Sequence, residues 1–96
     1  MLRKLNPLLH NELRLAIVSL LIGVEDADFN FLLEETKASK GNLSVQISKL
    51  KEEGYIKVTK SFKDNYPHTN CKITKAGILA FEEYVEAISE YIKGGK

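Results

Sequence analysis

S-K-G-N-L-S-V-Q-I-S-K-L-K-E-E-G-Y, residues 39–55, has the period of a helix. Leu43, Ile47 and Leu50 recur at i, i+4 and i+7 on one narrow stripe, while Gly41, Ser44, Val45, Ser48, Lys49 and Glu52 fall on the opposite face. Ser39 stands where an N-cap is needed, and Gly54 stands at the C′ position that ends a helix. The outward face is small, polar and partly basic. Short hydroxyls, an amide and lysines suit a helix lying in a DNA groove, where donors must meet base edges and phosphates. A merely solvated amphipathic helix would show the same alternation, so the neighbouring segments have to separate the two readings.

Upstream, a brief turn at Lys37 to Ser39 separates this helix from a shorter one. Asp28 can cap that helix, which spans about Phe29 to Lys37 with Phe29, Leu32 and Leu33 inward and Glu34 and Glu35 outward. Two helices joined by so short a turn predict a helix-turn-helix over about residues 29–53. Val24 to Ala27 reads as a loop or a short extended segment. Before it, Asn6-Pro7 predicts the start of a first helix that runs to about Ile22 and ends at Gly23. Leu9, Leu13, Ala16, Ile17, Leu20 and Leu21 give it one broad buried side. Leu5, Leu8, Leu15 and Val18 widen the apolar surface beyond what a small domain needs and suggest a partner surface.

Downstream of Gly54 the period changes from 3.6 to two. In Tyr55 to Lys60, Ile56 and Val58 alternate with polar residues, which predicts a half-buried strand. Ser61 to His68 is turn-rich and reads as a long tip, and Thr69 to Thr74 alternates again with Cys71 and Ile73 on one side. The result is a hairpin over about residues 55–74. Thr74 then caps a final helix from Lys75 to about Ile92, with Gly94-Gly95 closing the chain. Ile78, Phe81, Val85, Ile88 and Ile92 are spaced three, four, three, four, as in a heptad seam, and Leu79, Tyr84 and Tyr91 form a second stripe. Such a helix can pack on its own domain and against a second copy, so a homodimer interface is expected at Leu5, Leu8, Ile78, Phe81, Val85, Ile88 and Ile92. Burial in its own core alone is the competing reading of that seam. The fold class expected is mainly α with a small β-hairpin wing: a winged helix-turn-helix with a three-helix core and a long C-terminal dimerisation helix at about 75–92.

Composition narrows the function. Ninety-six residues make one domain with a modest core, too small for a large catalytic cleft. Charged residues are 28% and hydrophobic ones 44%, the balance of a folding globular chain rather than a disordered tail. The longest apolar run, Leu15 to Val24, is broken by Ser19 and Gly23 and falls short of the ~20 residues that span a bilayer. With no secretory cleavage pattern and a single cysteine, Cys71, a cytoplasmic protein without membrane contact is expected. The net charge of +1 hides a basic middle: residues 37–75 hold nine lysines against Glu52, Glu53 and Asp64, between acidic flanks. A localised positive field points to a polyanion partner.

The order helix, helix, L-S-V-Q-I-S-K-L-K-E-E-G-Y-I, two strands, then I-T-K-A-G and a long helix resembles the small winged-helix transcriptional regulators of the MarR and ArsR type. It is similar above all to the compact archaeal and bacterial winged-helix DNA-binding domains, over about residues 5–92. The resemblance implies that Gly41-Asn42-Leu43-Ser44 through Leu50 is the recognition helix, that Glu53-Gly54-Tyr55-Ile56 turns into the wing, and that Thr74-Lys75-Ala76-Gly77 starts the dimerisation helix. The opening L-L-H-N-E-L-R-L-A-I-V-S-L-L resembles the family's first helix, including an arginine at the position of Arg14. The function implied is sequence-specific regulation of transcription by a homodimer that presents two recognition helices to major grooves ~34 Å apart on double-stranded DNA. Val45 and Ser48 stand where relatives often carry arginine or another long polar residue, and the wing tip at residues 62–68 is less basic than many, so base readout is expected to be sparse.

The candidate DNA contacts are Ser39, Lys40, Asn42, Ser44, Val45, Gln46, Ser48, Lys49, Lys60, Lys63, Tyr66 and His68. Lys40, Lys49, Lys60 and Lys63 would neutralise phosphates, with Lys51 a solvated flank. Asn42, Ser44, Gln46, Ser48 and Lys49 are the candidates for base or sugar-phosphate hydrogen bonds, and Gln46, near the buried edge, divides between structural and contact roles. Tyr66 and His68 read equally as backbone contacts or as a surface loop. His10, His68 and Cys71 do not have the spacing of a zinc site, and Cys71 points inward, so neither a metal nor a cofactor is expected. No nucleophile-base pair, carboxylate pair or phosphate loop stands out, and no enzyme activity is expected. The competing function is a winged helix used as a protein-interaction module.

Overall fold

The computed structural model describes residues 2–94, so Gly95, expected to help close the chain, lies outside the described residues. The elements follow in the order α1 (Glu12–Ile22), β1 (Ala27–Asp28), α2 (Phe29–Thr36), α3 (Lys40–Glu52), β2 (Ile56–Lys63), β3 (Tyr66–Ile73) and α4 (Lys75–Ile92). The three strands form one antiparallel sheet in the order β1-β3-β2. Four helices with a hairpin beside the third make a winged helix, as the periodicities require. No helix among the described residues is long and apolar enough to cross a membrane.

Local chemistry sets both ends of α3. Ser39 Oγ accepts the Asn42 amide at 3.2 Å, satisfying one of the free N–H groups of the first turn. At the other end Gly54 has φ +83°, a left-handed conformation that a side chain would strain. The Tyr55 amide reaches back to the Leu50 carbonyl at 3.0 Å and the Gly54 amide to that of Lys51 at 2.9 Å. This is the Schellman pairing, and it turns the chain out of the helix and into the wing. Between the caps, Leu43, Ile47 and Leu50 are buried with Ile17, Val18 and Leu21 of α1, Leu32 of α2, Ile56 and Cys71 of the sheet, and Ala80 and Tyr84 of α4. Each large side chain taken fully out of water contributes roughly 1.5–3 kcal/mol.

Three expectations change. The first helix begins at Glu12 rather than at Pro7. Asn6 does cap, but its Oδ1 accepts the Leu8 and Leu9 amides of a single turn. Asn11 then takes an extended conformation and caps α1 proper, accepting the Arg14 amide at 2.9 Å. That turn drives Leu9 into the core, where Val18 also lies, so Val18 is packing and not surplus; Leu5, Leu8 and Leu15 rest half-buried on the same core.

The hairpin tip is tight rather than long. Pairing continues out to Lys63 opposite Tyr66. The two connecting residues, Asp64 and Asn65, both have positive φ, at 52° and 68°. This is the geometry of a two-residue I′ turn, which asparagine and aspartate tolerate.

The face that α4 turns to its own domain is Gly77, Ala80, Tyr84 and Ala87, three of them small. Phe81 and Ile88 of the expected seam lean on that core as well, whereas Val85 and Ile92 face solvent and Ile78 is half-buried. Tyr84, expected in a second stripe with Leu79 and Tyr91, is buried, while those two are exposed. Gly77 has to be small because α4 starts against the α3–β2 turn. Thr74 caps it by accepting the Gly77 amide at 3.0 Å, donates its hydroxyl to the Gly54 carbonyl at 2.6 Å, and gives its own amide to Tyr55 O at 3.1 Å.

A Cβ at Gly77 would overlap the Tyr55 carbonyl and meet Ile73 Cδ1 at 2.7 Å, whereas one at Gly41 meets nothing within 4 Å. Gly77→Ala is therefore expected to destabilise by about 1–3 kcal/mol through overpacking. Gly41→Ala should be neutral or stabilise by up to about 1 kcal/mol through helix propensity. Denaturant unfolding of both variants checks the pair.

Candidate nucleic-acid interface

With Leu43, Ile47 and Leu50 committed to the core, α3 turns Gly41, Asn42, Ser44, Val45, Ser48, Lys49 and Glu52 outward. Val45, at 50% exposure, is the apolar exception in the middle of that face. Ser39 and Lys40 stand exposed at the entry to the helix. The two edges of the face are built differently. On the wing side, Ser44, Ser48 and Lys51 share a groove of about 140 Å³ with Phe29, Val58, Lys60 and Thr69. On the other side, Gln46 is half-buried; its Nε2 donates to Asn42 Oδ1 at 2.9 Å, and its Oε1 accepts from Arg14 Nη1. Arg14 in turn donates Nε to the Leu8 carbonyl, so one guanidinium ties α1 to both the preceding turn and α3.

Strand alternation sorts the wing. Val58 opposite Cys71, Lys60 opposite Thr69 and Phe62 opposite Pro67 lie on the face that looks toward α3; Ser61 opposite His68 and Lys63 opposite Tyr66 lie on the other. Lys60 therefore joins the α3 groove. Lys63 and His68 instead border a separate cleft beside Asp26, Asp28 and Asn70. Tyr66 stands 74% exposed at the tip, and Phe62, not among the expected contacts, is 77% exposed on the α3 side.

The lysines of this region keep their charge free of ion pairs. Among the described residues the salt bridges are Arg3 with Glu86 at 3.2 Å and with Glu90 at 3.1 Å, far along α4. There the hydrogen bonds from Arg3 hold the Glu90 carboxyl below the usual carboxylate range. Lys40, Lys49, Lys51, Lys60 and Lys63 are exposed and in no such pair. A cation that is already paired loses part of its attraction for a polyanion, and these do not.

The remaining titratable candidates are scattered. His10 Nδ1 lies 2.9 Å from the Tyr84 hydroxyl, His68 is on the outer face of the wing, and Cys71 is fully buried. Among the described residues no three His, Cys, Asp or Glu side chains gather where they could hold a metal ion. Burial pushes the Cys71 thiol up to about 11, which keeps it protonated and unreactive at neutral pH. Along α4, Leu79, Val85, Tyr91 and Ile92 form exposed apolar surface, with Ile92 at 81% exposure. The N-terminal segment is strapped to the same helix by Arg3 and by the Tyr91 hydroxyl, which donates to Arg3 O at 2.9 Å.

Residues 13–92 match the profile of a family described as winged helix DNA-binding domain. An uncharacterized protein of Methanocaldococcus jannaschii is 36% identical over 80 residues, which are 83% of this chain and 87% of that protein. A transcriptional regulator homologue from Pyrococcus horikoshii superposes with a TM-score of 0.83 at 28% identity, over 91% of this chain and 86% of its own. ZitR of Lactococcus lactis, a zinc-responsive MarR family member, shares the fold at a TM-score of 0.60 and 19% identity, over 95% of this chain and 61% of its own.

Adjacent residues on α3 separate its two faces experimentally. Leu50→Ala is expected to cost about 2–5 kcal/mol by leaving a cavity. Lys49→Ala should stay within about 0.5 kcal/mol, as exposed substitutions do. Equal losses in the two variants, read from thermal or denaturant unfolding, would mean that the helix is rotated from the orientation described.

Proposed function

The chain belongs to the family of winged helix DNA-binding domains, and on that footing we propose that it regulates transcription as a homodimer, with α3 of each copy in the major groove. One observation carries the reading: α3 turns a face of short polar side chains to solvent, flanked by unpaired lysines and with a wing alongside. The family accounts for DNA as a partner. The residue assignments, the sequence specificity and the two-fold assembly are our inference.

In this reading Asn42, Ser44, Ser48 and Lys49 approach base edges, and Val45 offers its methyl groups to the thymine C5 methyl. Lys40, Lys49 and Lys60 neutralise phosphates, which supplies affinity without sequence information. Ser39 Oγ accepts in the helix cap, which leaves its O–H free to donate to the DNA backbone. Gln46 orients its neighbours more than it contacts DNA, because both ends of its amide are engaged. Lys63, Tyr66 and His68 belong to a wing that reaches the flanking backbone with Phe62 at its tip. The exposed Phe62 and Tyr66 also suit the second reading, a protein-interaction module, in which the wing would dock on an apolar surface.

Salt separates the two functions. Lys40, Lys49 and Lys60 taken twice in a dimer release enough counterions to weaken binding to mixed-sequence duplex roughly a thousandfold between about 50 and 200 mM salt. Retention that is absent, or indifferent to salt, favours the protein module.

For assembly, the exposed part of α4 is the informative target. Val85 and Ile92 carry exposed apolar surface, while Phe81 and Ile88 also serve the core, so changing the latter would mix folding with association. Val85→Glu combined with Ile92→Glu is expected to convert a sedimenting dimer into a folded monomer. A variant that still sediments as a dimer removes the seam from the account.

A further inference from the structure

The hydrogen bonds that run from α1 to α3 have a direction, and the direction decides what Asn42 can offer. Arginine carries five N–H donors and no acceptor. The Gln46 atom facing Arg14 must therefore be Oε1. The Gln46 amide nitrogen is then the group that faces Asn42 at 2.9 Å, and since it can only donate, the Asn42 atom receiving it is Oδ1. The Arg14 guanidinium is held in place from its other edge, where Nε donates to the Leu8 carbonyl. Asn42 is exposed at the edge of α3, and its Nδ2 is left without a hydrogen-bond partner among the described residues.

We propose that Asn42 reads DNA through its Nδ2 donor, with Arg14 and Gln46 as positioning residues that fix its polarity. An unconstrained asparagine pairs bidentately with adenine, accepting from N6 and donating to N7. With one Oδ1 lone pair taken by Gln46, the amide polarity is fixed and Nδ2 is the group turned outward, so Asn42 selects a base edge with an acceptor for that N–H, guanine N7 or O6, thymine O4 or adenine N7, over cytosine, whose N4 amine only donates. A phosphate oxygen is an acceptor too. However, the groove beside Asn42 is also lined by Glu12 and Glu35, with Lys37 as its one cation, and two carboxylates disfavour a phosphate there. The base edge is the target that remains. The inference rests on the reading of α3 as the groove helix.

Selection of bound duplexes from a random library, run in parallel on wild type and three variants of the full chain, tests it. Wild type is expected to exclude cytosine at one position per half-site. Asn42→Ala should lose that single preference and bind the preferred duplex about three- to tenfold more weakly, the effect of one net hydrogen bond. Gln46→Glu keeps an acceptor for Arg14 but has no N–H for Asn42, whose Nδ2 then turns inward and whose Oδ1 turns outward. Cytosine should then become favoured at the same position, which a merely structural role for Gln46 would not produce. Asn42→Asp, which touches no core residue, should shift the preference the same way and so covers the case in which Gln46→Glu folds poorly.

Variants that enrich the wild-type site with unchanged affinity overturn this inference while leaving DNA binding intact. An equal loss on every duplex with no change of preference would put the donor on a phosphate and overturn the base-edge assignment. Wild type that enriches nothing overturns both this inference and the proposed regulator.

Discussion

Leu43, Ile47 and Leu50 are the contact on which the rest of the structure depends. One helix has to be buried on one side and bare on the other, and these three residues commit the buried stripe of α3 to the core shared with Ile17, Leu21, Leu32 and Ile56. The outward face is what is left over. Gly41, Ser44 and Ser48 contribute nothing to the core, so they are free to be small or polar without cost to stability. The orientation is fixed twice, by burial along the stripe and by the Arg14 guanidinium at the edge, where it meets Gln46. A helix held by packing alone can adjust by small rotations; a directed hydrogen bond at its margin resists them.

The second constraint lies at the other end of the helix. Gly54, Tyr55, Thr74 and Gly77 form a knot in which the end of α3, the start of β2 and the start of α4 share hydrogen bonds. Gly77 has no room for a side chain, and the small residues that follow it let α4 lie close to the core. The proposed dimer helix is thereby joined directly to the C-terminus of the proposed DNA-contacting helix. The N-terminal turn is tied to the same region, with Asn6 Nδ2 donating to Tyr55 Oη and His10 Nδ1 2.9 Å from the Tyr84 hydroxyl.

Much of this was legible in the sequence where the signal is local. The caps Asp28, Ser39 and Thr74 were readable because each accepts an amide three residues on, and the stripe of α3 because its spacing is helical. The extra cap at Asn11 was hidden by the apolar residues on both sides, which continue the helical period across a real break. The hairpin tip was misjudged because proline and histidine on the far strand look like turn residues, while the turn itself is only Asp64-Asn65. The packing face of α4 was missed for a different reason: Gly77, Ala80 and Ala87 mark close approach by having little side chain, and a hydrophobic pattern does not register them. For the candidate site, the exposure of α3 was evident. That Lys63 and His68 share a face away from α3 required the register, and the link from Arg14 to Gln46 spans too much chain to be read from spacing. The pair Asn42 and Gln46, four apart on a helix, was the one local hint.

In the proposed assembly, two copies of α3 lie in successive major grooves. Hydroxyl-radical and methylation footprinting of the bound protein, on a duplex recovered by its own binding, tests this most directly. The account predicts two protected major-groove patches on one face of the DNA, about 10 base pairs apart, related by two-fold symmetry. A single patch, or protection confined to the sugar-phosphate backbone with no major-groove purine shielded, would contradict it.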